Sequence, residues 1–372
     1  MNIGITCYPT YGGSGTIATE LGRALAQRGH KVHFITTALP YRLNHFVENV
    51  YFHEVQVFHY PLFEYTPYSL SLASKMAQVA TREELDVLHV HYAIPHATSA
   101  YLARQIMAKN RWLPIITTLH GTDITLVGMD PSYYDITRFS IEESDSVTAV
   151  SEYLKTQTVY RFAVDKDITV IPNFVDPSRF TPKVSVCRDC FADPNDKILM
   201  HISNFRPVKR IPDVIEVFDR VNRRMPSRLV LVGTGPEIEP ARRLIEQKGI
   251  ADRVHFLGRQ DDVSTIIPLA DLYLQLSEYE SFGLTALEAM SCEVPVVGTC
   301  GSGMEGFLGD SAAGLLFPVG DVEAIADGCV AILGDSERAK KMGRAGRERV
   351  MNDYDEKAIV GKYEEVYRGV MG

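Results

Sequence analysis

Short apolar runs alternate with amphipathic, helix-period stretches along the whole chain. Residues 2–7 form an apolar run that breaks at Tyr8-Pro9 and a cluster of glycines. Ile17, Leu21 and Leu25 then recur at helical spacing up to Gly29, and residues 32–36 form a second apolar run. Strand, glycine loop, helix, strand is a βαβ unit, which requires a parallel sheet covered by helices on both faces. Residues 87–91 and 115–119 continue as strands separated by a helical stretch over 97–108, and residues 146–150 add another. The first half therefore predicts a doubly wound α/β domain.

The alternation restarts at Lys197. Residues 197–203 read as a strand, 212–222 as a helix and 229–232 as a strand. The turn Gly233-Thr234-Gly235, a helix over 237–248 and a strand over 254–257 follow. Strands over 272–276 and 294–298 flank a helix over 284–290, and polar, acidic helices follow Asp321. Two α/β domains result: residues 1–170 completed by a C-terminal helix within 352–372, and residues 171–351. The stretch from Ile171 to Asp196, rich in proline and turn residues, reads as the linker. In 356–370, Ile359, Tyr363, Val366, Tyr367 and Val370 make an apolar stripe that suits packing on a neighbouring element. Ligands of open α/β sheets bind beyond the carboxyl ends of the strands, so two such sheets predict an interdomain cleft.

Composition narrows the class. At 372 residues, with 45% hydrophobic and 23% charged residues, the chain excludes disorder, collagen and coiled coil, and its length accommodates two to three domains. A net charge of −9 argues against nucleic acid as a bulk electrostatic partner, so an anionic ligand needs a local basic cluster. No run reaches the roughly 18 apolar residues of a membrane helix, and residues 1–9 lack the basic start and long apolar run of a secretory signal. The expectation is a cytoplasmic chain without membrane association. Cys7, Cys187, Cys190, Cys292, Cys300 and Cys329 are scattered, which fits a reducing compartment, and Cys187-x-x-Cys190 has no second pair at zinc-site spacing.

The candidate chemistry sits where strands end. Gly12-Gly13-Ser14-Gly15-Thr16 falls between the first strand and first helix, where backbone N–H groups and the helix dipole can meet an anion. A plain tight turn is the other reading. The segment is not Gly-x-Gly-x-x-Gly, no Walker lysine follows, and Thr36-Thr37-Ala38 stands where a dinucleotide fold keeps its ribose acid. Arg206, Lys209 and Arg210 crowd the loop after the strand over 197–203, a local basic cluster of the kind a diphosphate needs. Glu280 precedes the helix that starts at Leu284, so the N–H groups of Phe282, Gly283, Leu284 and Thr285 can hold a phosphate, while Glu288 lies one turn inside. Ordinary surface acids are the competing reading for both glutamates.

His89 and His91 share one strand face with His96 and His120 near by, but no carboxylate stands at ligand spacing, so polar-lined core histidines are favoured over a metal site. His120 ends the strand over 115–119 and is placed to contact a ligand. Phe46, Tyr51, Phe52, Phe58, Tyr60, Phe63, Tyr65 and Tyr68 form an aromatic stretch, read as packing or an oligomer surface first and an acceptor loop second.

Taken in this order, Glu280-x7-Glu288 enclosing Phe282-Gly283-Leu284, Arg206 with Lys209, the glycine loop, His120 and Ile171-Pro172-Asn173 resemble the retaining glycosyltransferases of family 4 over nearly the whole chain. The resemblance implies the GT-B fold: two Rossmann-like domains facing a cleft, with the last helix returning to the first domain. It is tighter in Ile3-Gly4-Ile5-Thr6-Cys7-Tyr8-Pro9, His91-Tyr92-Ala93-Ile94-Pro95-His96, Thr117 to Asp123 and Ser203-Asn204-Phe205-Arg206. These segments are similar to the branch that transfers N-acetylglucosamine from UDP-N-acetylglucosamine to L-malate and opens bacillithiol biosynthesis. Cys300-Gly301-Ser302-Gly303-Met304-Glu305 departs from the family's Gly-Gly-Ile/Val-Pro-Glu turn.

What the resemblance implies for the site is specific. Arg206 and Lys209 bind the diphosphate and neutralise the leaving group. Glu288 takes the ribose hydroxyls, Glu280 and the backbone of 282–285 the sugar and phosphate, and backbone near Gly258-Arg259 the uracil. Gly15 borders the donor as well as the acceptor. His120 contacts the donor sugar; Ser14, Gly15, Tyr92, Thr118, Asn204, Arg206 and Arg138 surround the acceptor. No metal or cofactor is implied, the substrates are small molecules, and a homo-oligomer fits. With no carboxylate placed as a nucleophile, a front-face route follows, in which the departing phosphate takes the acceptor's proton. Another acceptor (inositol phosphate, lipid or polysaccharide), a nucleotide-sugar epimerase and a non-catalytic sugar-nucleotide sensor remain the alternatives.

Overall fold

The computed structural model describes residues 1–372 except 11, 44, 59, 63, 109–110 and 310–311. Phe63 of the aromatic stretch lies outside the described residues. The chain divides into Met1–Asn173 with Glu356–Gly372, and Phe174–Asp355. The divisions expected from the sequence stood at 170/171 and 351/352.

Unit 1 is built on seven strands: β1 (Asn2–Thr6), β2 (Lys31–Thr36), β3 (Val50–Glu54), β4 (Val87–His91), β5 (Ile115–Leu119), β6 (Ser146–Ala149) and β7 (Ile168–Val170). They pair in parallel in the order β3-β2-β1-β4-β5-β6-β7. The helices between them are α1 (Gly13–Gln27), α2 (Tyr68–Arg82), α3 (Thr98–Met107), α4 (Thr122–Thr125), α5 (Tyr134–Glu142) and α6 (Glu152–Phe162). Every residue of β4 and β5 is buried, as a central parallel strand covered on both faces requires. Ile17, Leu21 and Leu25 of α1 are buried, each contributing about 1.5–3 kcal/mol relative to exposure. Leu72 and Met76 of α2 and Ala100 and Met107 of α3 pack with Leu88 and Val90 of β4 in one cluster.

Unit 2 repeats the plan with β8 (Lys197–Ile202), α7 (Ile211–Asn222), β9 (Ser227–Val232), α8 (Ile238–Lys248), β10 (Val254–Gly258), β11 (Leu272–Gln275), α9 (Leu284–Ser291), β12 (Val296–Thr299), α10 (Glu305–Leu308), β13 (Gly314–Phe317), α11 (Val322–Leu333) and α12 (Ser336–Asp353). Its sheet is parallel in the order β10-β9-β8-β11-β12-β13. The strand order reverses beside β8, so β8 and β11 end at the switch point where such sheets bind ligands. The last helix, α13 (Glu356–Met371), belongs to unit 1. It buries Ile359, Tyr363 and Tyr367 while Val366 and Val370 stay half-exposed.

In the aromatic stretch the exposed rings count against core packing and leave the oligomer-surface reading an expectation. Tyr51 and Phe52 lie on the edge strand β3, and Phe46, Phe58, Tyr60 and Tyr65 are likewise exposed, although Tyr51 stacks on the buried His33 with ring centroids 4.8 Å apart. Among the described residues of the stretch, Tyr68 turns inward where α2 begins, and its hydroxyl faces His96. Parallel pairing by β3 needs backbone alone, which an aromatic run between breakers does not announce.

Candidate functional site

In unit 2 the residues named above gather at the carboxyl ends of β8 and β11. His201, near the end of β8, donates Nδ1–H to the Leu274 carbonyl at 2.9 Å, which leaves Nε2 to accept from Ser203 Oγ at 2.8 Å. Burial holds the ring neutral, pulling it down to about 4. Ser203 Oγ in turn accepts from Phe205 N at 3.2 Å, and Phe205 is buried, so the loop leaves the strand in one fixed direction. Asn204 and Arg206 project from it, exposed, and Arg206 makes no ion pair among the described residues.

Lys209 turns back. Its Nζ donates to Glu280 Oε2 at 2.7 Å, and the same oxygen accepts from Gln275 Nε2 at 2.9 Å and Ser277 Oγ at 3.2 Å. Gln275 Oε1 accepts from Tyr273 Oη at 3.0 Å and Thr285 Oγ1 at 3.2 Å, and Tyr273 Oη also reaches Thr285 Oγ1 at 2.8 Å. The amide of Gln275 thereby connects the Lys209–Glu280 pair to the first turn of α9. Glu278 N donates to Val208 O at 2.9 Å, tying the two loops together.

The start of α9 is shaped by Gly283. Its φ is +98°, and a Cβ there would stand 2.7 Å from Met304 Cγ, so only glycine fits. The Phe282 ring turns inward against Phe307 and Tyr354, and Gly303 packs so closely on the turn that a Cβ there would lie 2.9 Å from Phe282 N. No side chain caps α9, so the N–H groups at Leu284 and Thr285 remain available to an anion. Glu288 is 3% exposed, which removes the surface-acid reading. Gly258 ends β10 at φ +62°, accepting Gly233 N at 2.7 Å, and Arg259 bonds Asp261 at 3.0 Å.

In unit 1 the first turn of α1 meets the end of β4. Gly15 is buried so closely that a Cβ would lie 2.5 Å from the Thr10 carbonyl oxygen. Tyr92 Oη donates to Ser14 Oγ at 2.8 Å, and Tyr92 itself holds a positive φ of +88° just after β4. Two groups secure that backbone. Tyr92 N donates to Thr118 O at 2.9 Å, and Asp123 accepts from Ala93 N at 2.9 Å and Gly121 N at 3.0 Å. Burial raises Asp123 to about 6 against those N–H bonds.

The histidines form a connected stack. His89 lies between Tyr367 Oη at 2.8 Å and Thr118 Oγ1 at 2.6 Å, and Thr118 Oγ1 also meets Thr148 Oγ1 at 2.7 Å. His91 stacks between His89 and His120 with ring centroids 4.5 Å and 5.0 Å away. Thr118 is fully buried and its hydroxyl is committed inward, while its carbonyl holds the Tyr92 backbone. Arg138 pairs with Glu142 one turn on along α5, at 3.0 Å, in an arrangement that does not involve Ser14 or Tyr92. Among the described residues no group of three His, Cys, Asp or Glu side chains is arranged to hold a metal ion, and no helix is long and apolar enough to cross a membrane.

Two family models match the chain. Residues 11–179 match "Glycosyltransferase Family 4" and residues 189–349 match "Glycosyl transferases group 1". Over 373 aligned residues, covering 100% of this chain and 97% of the relative, it is 48% identical to the N-acetyl-alpha-D-glucosaminyl L-malate synthase of Bacillus anthracis. The chain belongs to glycosyltransferase family 4. Its fold is GT-B. The sucrose-phosphate synthase of Thermosynechococcus elongatus superposes with a TM-score of 0.83 at 20% identity, covering 100% of this chain and 99% of that one. Anabaena Alr3699/HepE, solved in complex with UDP and glucose, gives 0.83 at 19% identity, covering 98% and 99%.

Within this glycosyltransferase the sequence alone did not point to Tyr273, Gln275, Ser277 or Asp123. Gln275 and Ser277 carry a faint signal, two polar residues interrupting an apolar strand at its carboxyl end. Asp123 was visible only as the last residue of His120-Gly121-Thr122-Asp123.

Proposed function

We propose that this glycosyltransferase moves N-acetylglucosamine from UDP-N-acetylglucosamine to the hydroxyl of L-malate with retained configuration, the opening step of bacillithiol biosynthesis. The observation that carries the reading is the full-length 48% identity to the L-malate synthase of Bacillus anthracis. Unit 2 supplies the donor groups. Arg206 and Lys209 offset the charge that builds on the departing diphosphate, the first turn of α9 takes a phosphate, and Glu288 receives the ribose hydroxyls. Glu280, held on Oε2 by three donors, presents its other edge to the sugar hydroxyls.

Unit 1 supplies the acceptor groups. Ser14, whose Oγ accepts the Tyr92 O–H and keeps its own O–H to donate, and the N–H groups of the uncapped first turn of α1 offer donors to a small dicarboxylate. His120 contacts the donor sugar. A departing phosphate held by fixed cations is the base for the malate hydroxyl, so the new C–O bond forms on the face from which the old one breaks. The enzyme works in the cytoplasm, where six unpaired cysteines persist as thiols.

The test is to incubate the protein with UDP-N-acetylglucosamine and, separately, malate, inositol phosphate, phosphatidylinositol or water, reading products by mass spectrometry. Glycosylated malate is expected. Product with another acceptor and none with malate would overturn the acceptor, and interconversion of the nucleotide sugar without transfer would favour an epimerase.

A further inference from the structure

His91 and His120 share one proton between facing nitrogens: His91 Nδ1 lies 2.8 Å from His120 Nε2. Both rings are held neutral by burial, with neighbouring imidazoles pushing the same way. A neutral imidazole carries a single N–H, so the position of the shared proton fixes the tautomer of both residues. His91 Nε2 is the deciding atom. It is buried, with no hydrogen-bond partner among the described residues.

If His120 donated, the proton of His91 would have to sit on Nε2, as a buried N–H facing no acceptor. If His91 donates from Nδ1, Nε2 is a bare ring nitrogen, and buried unpaired acceptors are tolerated more readily than buried unpaired N–H donors. The second arrangement places the proton of His120 on Nδ1, the nitrogen with no partner among the described residues. His96 shows the same preference unambiguously, since its Nδ1 lies 2.6 Å from the His91 carbonyl and must donate. That bond also fixes the backbone from which His91 projects.

We propose that His91 is a positioning residue that locks His120 in its Nδ1–H tautomer, so that His120 meets the substrate sugar as a hydrogen-bond donor, to a hydroxyl or carbonyl oxygen, rather than as an acceptor. The role assigned to His120 rests on the reading under Proposed function; the tautomer does not. A donor at this point favours a sugar oxygen that gains electron density, and it carries no charge to oppose the positive character of the sugar ring in the transition state.

Long-range proton–nitrogen correlation spectra of the full chain labelled with 15N-histidine read the tautomer directly, without substrate. The expected result at pH 7.5 is a protonated Nδ1 and a bare Nε2 on His120. Protonation at Nε2, or a rapid mixture, overturns the proposal.

Two variants extend the test. His91→Asn keeps an N–H donor near the Nδ1 position, whereas His91→Leu removes it. His91→Leu is expected to release His120 into a tautomer mixture and to lower kcat roughly tenfold to hundredfold with little change in KM, and His91→Asn to recover most of the loss. Equal kcat in the two variants overturns the proposal. A locked His120 in a protein that glycosylates no malate sinks the malate reading and leaves the tautomer standing.

Discussion

Lys209 Nζ and Glu280 Oε2 stand 2.7 Å apart although 71 residues separate them in the chain. The pair holds the lysine at the switch point, and Glu280 does not depend on it alone, since Gln275 and Ser277 bond the same oxygen.

Lys209→Ala is expected to leave the fold intact by circular dichroism and to lower kcat far more than donor affinity. A charge-assisted hydrogen bond that strengthens in the transition state is worth roughly 1.5–3 kcal/mol, about tenfold to 150-fold in rate. An unchanged kcat would return Lys209 to the role of a structural ion pair.

Glu288→Ala acts on a different step. With the carboxylate buried in α9, its loss should weaken UDP binding by roughly tenfold, measured by titration calorimetry, with kcat at saturating donor much less affected. Equal UDP affinity in the variant and the parent would remove Glu288 from the ribose.

Gly283→Ala tests the start of α9. A φ of +98° and a Cβ 2.7 Å from Met304 Cγ together predict a loss of about 1–3 kcal/mol in urea unfolding and a raised donor KM. Retained stability and KM would mean that the turn relaxes without disturbing its N–H groups.

Acid should unfold unit 1 before unit 2. Burial brings His89 and His120 down to about 3 and His33 and His96 to about 4, and holds His91 well below its ordinary value; unit 2 holds one such residue, His201. Below about 6.5 the unfolded chain binds protons that the folded unit refuses. Stability present at pH 7 is then lost as the pH falls towards these values, by up to about 1.4 kcal/mol per pH unit for each fully buried imidazole. Asp123 works the other way, taking its proton near 6 in the folded unit, but it is one group against six, since burial also holds His53 below its ordinary value. Unfolding followed by probes in each unit between pH 7 and pH 4 should show unit 1 leading; coincident transitions would contradict this.

If Arg206 and Lys209 supply the counter-charge as proposed, transfer is expected to run at full rate in excess EDTA. Activity lost to the chelator and restored by a divalent cation would show that they do not suffice.

The strands and helices that position the site were legible because β4, β5, β8 and β11 are apolar runs ended by turn residues, and the chemistry follows directly after each run. Arg206 and Lys209 could be singled out from that placement, whereas placement alone favoured an ordinary surface acid for Glu280, whose role came only from the family resemblance. The wiring was not legible. Gln275 reaches Glu280 and Thr285 through three-dimensional convergence, and the inward turn of the Thr118 hydroxyl depends on His89 and Thr148. The histidine pair on β4, open to a metal reading by its spacing, proved to be hydrogen-bonded to Tyr367, Thr118 and His120, which lie on other elements. Strand β3 escaped notice because edge pairing uses main-chain groups and leaves its side chains exposed.

Tyr367, the hydroxyl partner of His89, comes from α13, and α13 follows all of unit 2 in the chain. Unit 2 is thus an insertion within unit 1, and the order of synthesis runs against the order of completion. On the ribosome the contiguous inner unit can close as soon as it emerges, while the outer unit, begun first, waits with His89 and the helix-facing side of β4 uncovered. Its histidine stack acquires its final surroundings only when the last helix is released.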